Sequence, residues 1–113
     1  MKAQPTPDLD LIEQKFFALG DPARFAIVKR LATGPQTAGD LAEPFAISRP
    51  AISRHLRVLR EAGIARAEVH GREWWYSLDP ATFRDVRNWA EELQEMWAQA
   101  LVAFKSYVEE QEE

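Results

Sequence analysis

Ser48-Arg49-Pro50-Ala51-Ile52-Ser53-Arg54-His55-Leu56-Arg57-Val58-Leu59-Arg60-Glu61-Ala62-Gly63 is the stretch on which the reading of this chain turns. Ser48 is an N-cap residue with proline close behind it, and Gly63 stands where a left-handed C-cap is favoured, so residues 48–62 are expected to be helical. At about 100° per residue, Ile52, His55, Leu56 and Leu59 fall on one side of that helix. Pro50, Ser53, Arg54, Arg57 and Glu61 fall on the other, with Arg49 and Arg60 at one flank. The first side is expected to pack inward. The second offers the guanidinium and hydroxyl donors that reading base edges and holding phosphate require. A plain solvated helix face has a similar composition, so the neighbouring segments decide between the two.

Upstream, Asp8 is expected to cap a first helix over 8–19, with Leu9, Ile12, Phe16, Phe17 and Leu19 as its apolar face and Gly20 as its stop. Asp21-Pro22 then reads as an N-cap with proline at the first helical position. Phe25, Ile27, Val28 and Leu31 supply the inward face of that second helix, which ends near Thr33 before Gly34-Pro35. Thr37, with Asp40 three residues on, opens a short third helix that Pro44 ends. A turn of three or four residues would then join it to the helix at 48–62.

Downstream of Gly63 the pattern changes from helical to alternating. Residues 64–69 and 73–78 read as two strands joined by His70-Gly71-Arg72, a β-hairpin or wing over 64–78. By alternation Trp74, Tyr76 and Leu78 share a face expected to pack on the helix at 48–62, and Trp75 faces the other way. Asp79-Pro80 opens a last helix over 80–110, with apolar residues at Phe83, Val86, Trp89, Leu93, Met96, Trp97, Ala100, Leu101, Phe104 and Tyr107. Thirty or so helical residues make a rod of about 45 Å, longer than a small domain can cover.

The chain is 113 residues long, enough for one domain. Residues 1–7 read as a disordered lead-in and 8–113 as a single mainly α domain with a small β-hairpin: a first helix at 8–19, a core at 21–79 and a C-terminal helix at 80–110. The absence of cysteine excludes disulfides, thiolate metal sites and a cysteine nucleophile, and the expected compartment is the cytoplasm. The net charge of −4 argues against a polyanionic partner when taken whole. By segment it does not. Residues 47–72 hold six arginines against two glutamates, a net +4, and residues 81–113 hold eight acids against three bases, a net −5. No nucleophile–base pair, phosphate-cradling glycine loop or metal motif stands out, so an enzyme is not expected.

The runs Leu19-Gly20-Asp21-Pro22-Ala23-Arg24-Phe25-Ala26-Ile27 and Ser48 to Gly63, together with Gly71-Arg72 and Tyr76-Ser77-Leu78, resemble the ArsR-type winged helix-turn-helix repressors over roughly residues 10–108. That resemblance implies a homodimeric repressor binding an inverted repeat in double-stranded operator DNA. The helix at 48–62 would enter the major groove through Ser48, Arg49, Pro50, Ser53, Arg54 and Arg57, and the wing would reach the flanking groove through Arg66 and Arg72. Phe16, Trp89, Leu93, Trp97, Leu101 and Phe104 would build the dimer interface. Founding members of the family bind metal through a cysteine pair on the helix corresponding to 37–44, or through Asp and His on the last helix. This sequence has neither set, so no metal ligand, no cofactor and no classical metal sensing are expected. An unidentified apolar inducer in an aromatic pocket at the dimer interface remains open. So do a MarR-like or PadR-like regulator and a winged helix used for protein contacts. His55, on the inward side, is expected to be a hydrogen-bonded structural residue.

Overall fold

Three helices open on a small polar cap followed by proline, as the sequence signals. The computed structural model describes residues 7–112, so the expected lead-in lies outside the described residues apart from Pro7. The elements are α1 (Pro7–Leu19), α2 (Pro22–Leu31), β1 (Gln36–Thr37), α3 (Ala38–Ala42), α4 (Arg49–Glu61), β2 (Ala65–His70), β3 (Glu73–Leu78) and α5 (Pro80–Gln111). Asp21 caps α2 by accepting from the backbone N–H of Ala23 at 2.9 Å and of Arg24 at 3.1 Å. Thr37 caps α3 through Asp40 N–H, Ser48 caps α4 through Ala51 N–H, and Asp79 caps α5 through Ala81 N–H. Each cap satisfies donors that a helix start leaves without intrahelical partners. Helix α1 begins at Pro7, one residue ahead of the Asp8 expected to cap it, and α2 ends at Leu31, two residues short of Thr33.

The hairpin gains a third strand. Gln36 and Thr37 pair antiparallel with Tyr76 and Trp75, giving the order β1-β3-β2. Two residues are too few to show alternation, so nothing periodic announced them. Reciprocal bonds hold the strand's start: Arg30 Nη2 donates to Gln36 Oε1 at 3.1 Å, and Gln36 Nε2 donates back to the Arg30 carbonyl at 2.7 Å.

Ile27, Leu41, Ile52, Leu56, Leu59 and Ile64 form the fully buried centre, with Tyr76 and Leu78 packed against it. Two helix faces depart from expectation. Among the α1 residues whose side chains are described, which leave out Leu9, the buried ones are Lys15 and Ala18, whereas Phe16 and Phe17 are exposed. On α2 Phe25 is exposed too, its ring beneath the Lys29 ammonium at 5.9 Å. The core is filled by aliphatic side chains, and Phe16, Phe17 and Phe25 lie outside it.

Candidate nucleic-acid interface

Helix α4 lies between α3 and the sheet, with Ile52, Leu56 and Leu59 at no more than 1% exposure on its inner side. Pro50, Ser53, Arg54, Arg57 and Glu61 are exposed on its outer side, as are Arg49 and Arg60. Residues 43–48 separate α3 from α4, longer than the three or four expected, because Pro44 follows the end of α3 and Phe45 and Ile47 turn back onto the core. The helix-turn-helix is nonetheless in place, with α4 as its second helix.

The C-terminal end of α4 is held from two directions. Gly63, at φ 78°, forms a Schellman turn in which Gly63 N–H donates to Arg60 O at 3.0 Å and Ile64 N–H to Leu59 O at 2.9 Å. The next two carbonyls are taken by other helices. Lys15 of α1, buried, donates from Nζ to Ala62 O at 2.9 Å, and Thr82 of α5 donates from Oγ1 to Gly63 O. A lysine ammonium at this end also meets the negative pole of the helix dipole. Midway along α4, His55 Nδ1 lies 3.4 Å from Arg24 Nη1 and 4.0 Å from Asp21 Oδ2. Arg24 in turn donates from Nε to Ala18 O at 2.8 Å and from Nη2 to Phe17 O at 3.3 Å, at the end of α1. The Arg24 backbone N–H, ahead of all other influences, holds the Asp21 carboxyl below its usual range.

Around α4 the exposed surface is rich in arginine. Arg49, Arg54, Arg57, Arg60 and Arg72 have no carboxylate within ion-pair distance among the described residues. Arg66 is the exception: its Nη2 lies 3.3 Å from Asp79 Oδ1. Asp79 is held below the ordinary carboxylate range, first by the Ala81 N–H and then by this arginine. Two grooves flank the junction of α4 and the wing. One, of about 530 Å³, is lined by Arg57, Arg60, Glu61, Ala65, Arg66 and Ala67. The other, of about 330 Å³, brings Arg49 and Ser53 of α4 together with Arg72, Trp74 and Tyr76 of the wing and with the start of α3.

Trp74 is not where the alternation of β3 was expected to put it. It shares a face with Tyr76 and Leu78, but those two join the core, whereas Trp74 lies farther out along the wing and is 51% exposed. The Arg60 guanidinium stands over its ring at 5.9 Å. At the wing tip His70 Nε2 lies 3.1 Å from Glu68 Oε1, and Gly71 adopts φ 66° in the turn.

Helix α5 extends the molecule to 72 Å in its longest dimension. Near its start Trp89 meets Phe16 edge to face, with centroids 4.9 Å apart, so these two expected interface residues pack within one chain. Beyond them Leu93, Met96, Trp97, Leu101, Phe104 and Tyr107 are all exposed, on one side of the helix. No group of three or more His, Asp or Glu among the described residues is close enough to hold a metal ion. No helix of the described residues is long and apolar enough to cross a membrane.

A helix-turn-helix with an adjacent wing and a cationic outer face matches a known family of regulators. Residues 21–67 match the model of the bacterial regulatory protein, arsR family. The chain is 38% identical over 92 residues to the HTH-type transcriptional regulator Rv2034 of Mycobacterium tuberculosis, covering 81% of this chain and 83% of that protein. The chain belongs to the ArsR family. Another relative is the transcriptional repressor SdpR of Bacillus subtilis, 42% identical over 74 residues that span 66% of this ArsR-family chain and 82% of the repressor. Among solved structures, the ArsR-like transcriptional regulator from Rhodococcus sp. RHA1 superposes with a TM-score of 0.80 at 29% identity, covering 89% of this chain and 95% of that one. In the ArsR frame, the expected DNA-contact residues converge on α4 and the wing. Lys15, Thr82 and Trp74 join the site only in the folded chain. A lysine in an apolar run looks like a solvent-facing interruption, and only the fold brings it to the end of α4.

Proposed function

We propose that the protein is a homodimeric, cytoplasmic transcriptional repressor that binds an inverted repeat in operator DNA and blocks transcription sterically. In this reading α4 enters the major groove, with Ser48, Arg49, Pro50, Ser53, Arg54 and Arg57 contacting bases and backbone. Arg72 reaches the flanking groove from the wing tip. Arg66 is divided between a phosphate and its Asp79 partner. The observation that carries the reading is the set of α4 and wing-tip arginines that have no carboxylate partner among the described residues, in a chain that is acidic overall: guanidinium groups not committed to internal pairs are available to phosphate and to guanine edges.

The exposed apolar side of α5, with α1 beside it, supports a second copy as its partner. An aromatic and aliphatic surface of that length is otherwise unfavourable in water. Dimerisation would set two copies of α4 about 34 Å apart, one turn of DNA. The ligand chemistry of the chain favours a regulator that does not use the metal sites of the family's founders.

Titration of a DNA fragment obtained by random-library selection, repeated across salt concentrations, tests the proposal. The logarithm of affinity should fall steeply with that of salt, and Arg57→Gln, which removes one phosphate-facing charge from each reading helix, should reduce the slope by about 1 per helix bound. A slope near zero would refute DNA binding.

A further inference from the structure

The wing carries a residue that the DNA-binding reading has not used. Trp74 and its cross-strand partner Val69 lie on the side of the sheet that faces α4, and both are more than half exposed. They form an apolar ridge outside the core. Trp74 lines the groove that holds Arg49, Ser53, Arg72 and Glu73, and the guanidinium over its ring, that of Arg60, belongs to the groove that also holds Arg57, Arg66 and Glu61. Trp74 therefore stands between two grooves in each of which arginines outnumber a single glutamate. A nucleic-acid strand alternates in the complementary sense, with anionic phosphates on either side of an apolar sugar face.

Building on the proposed DNA binding, we infer that Trp74 is itself a DNA contact, seating its indole against the deoxyribose of the backbone that passes from the α4 groove to the wing. The neighbouring phosphates then lie in the two arginine grooves. Arg60 above the ring keeps the indole from folding back and gains a cation–π contact that strengthens as DNA displaces water. Trp75, on the opposite face of the same strand, is half-buried and stays off the DNA. The contact is to backbone and so independent of sequence, which lets any duplex report it.

The test uses the full chain labelled with 5-fluorotryptophan. Its four tryptophans should give four ¹⁹F resonances, and Trp74→Phe assigns one by its disappearance. A random-sequence duplex of roughly two helical turns is added at low salt, with its binding followed separately by fluorescence polarisation. The Trp74 resonance should shift on binding and return when salt releases the duplex, with the Trp75 resonance unmoved. Trp74→Ala should weaken binding about tenfold with the salt slope unchanged, since the substitution removes no charge, and Trp74→Phe should retain most of the affinity. Bound duplex with an unmoved Trp74 resonance would overturn the inference while leaving DNA binding intact, even if Trp74→Ala binds weakly, because Trp74 would then act only as a brace for Arg60. If the unsubstituted protein shows no salt-dependent binding, the functional reading beneath the inference fails with it.

Discussion

Replacing Gly63 by alanine tests how the end of α4 is held. Gly63 sits at φ 78°, where an L-residue is disfavoured by roughly 1–2 kcal/mol. A Cβ there would also stand 3.3 Å from Lys15 Nζ, tight enough that the ammonium must yield. That ammonium is bonded at 2.9 Å to the carbonyl of Ala62. Displacing it from a buried acceptor adds about 1 kcal/mol, so the total cost is about 2–3 kcal/mol. Gly71 provides the control. It has φ 66° and nothing within 4 Å of an added Cβ, so Gly71→Ala should carry the backbone cost alone. Urea denaturation at one fixed protein concentration, followed by far-UV circular dichroism, measures both variants against the unsubstituted chain. Gly63→Ala should be the less stable of the two by about 1 kcal/mol. In a Lys15→Met background the gap should close. Equal losses at the two glycines with Lys15 present would refute the claim that Lys15 is held tightly against the helix end.

Three further outcomes are expected. Asp21 has a folded-state pKa below the ordinary aspartate value of 3.8, so its contribution to stability is complete above about pH 5 and is lost as pH falls through 3.8 towards the folded value. Asp21→Asn, which keeps an N-cap, should flatten that acid limb in urea midpoints measured between pH 7 and pH 3, and an unchanged limb would assign it to other groups. Trp97→Glu places a charge in the middle of the exposed α5 face and should shift the protein to monomer in sedimentation, with operator affinity falling about 100-fold as the two half-sites uncouple. A variant that remains dimeric would show that α5 is not the seam. Zinc, arsenite or cadmium at micromolar concentration should leave operator binding unchanged, and release of DNA by any of them would reveal a ligand set not apparent in the sequence.

The parts of this fold that were legible in the sequence are those whose physics is local. Asp21-Pro22, Ser48 and Asp79-Pro80 are cap signals that involve only neighbouring residues, and all three open helices. The inner stripe of Ile52, Leu56 and Leu59 follows from helical period alone. What escaped depends on chain segments far apart in sequence. Lys15 reaches a carbonyl 47 residues away, and Gln36-Thr37 becomes a strand only because β3 is there to pair with it. Phe16, Phe17 and Phe25 show the converse limit: hydrophobicity says that a side chain gains from cover, and leaves unsaid whether its own core supplies it. Trp74 misled for a related reason. Alternation identifies the face of a strand, but how far the core extends along that face is set by where α4 and the sheet diverge.

The two hydrogen bonds at the end of α4 bear on how such a regulator can change. Lys15 of α1 and Thr82 of α5 grip adjacent carbonyls, Ala62 and Gly63, so α4 is fastened to the same two helices that carry the exposed apolar surface. In the proposed dimer this divides the operator's spelling from its spacing. The letters are read by side chains on the outer face of α4, which can be exchanged without touching the fastening. The distance between half-sites is set by how α1 and α5 cross their counterparts, and α4 must follow them. New target sequences are therefore reachable by surface substitution alone, whereas a new half-site spacing requires the buried seam to be rebuilt.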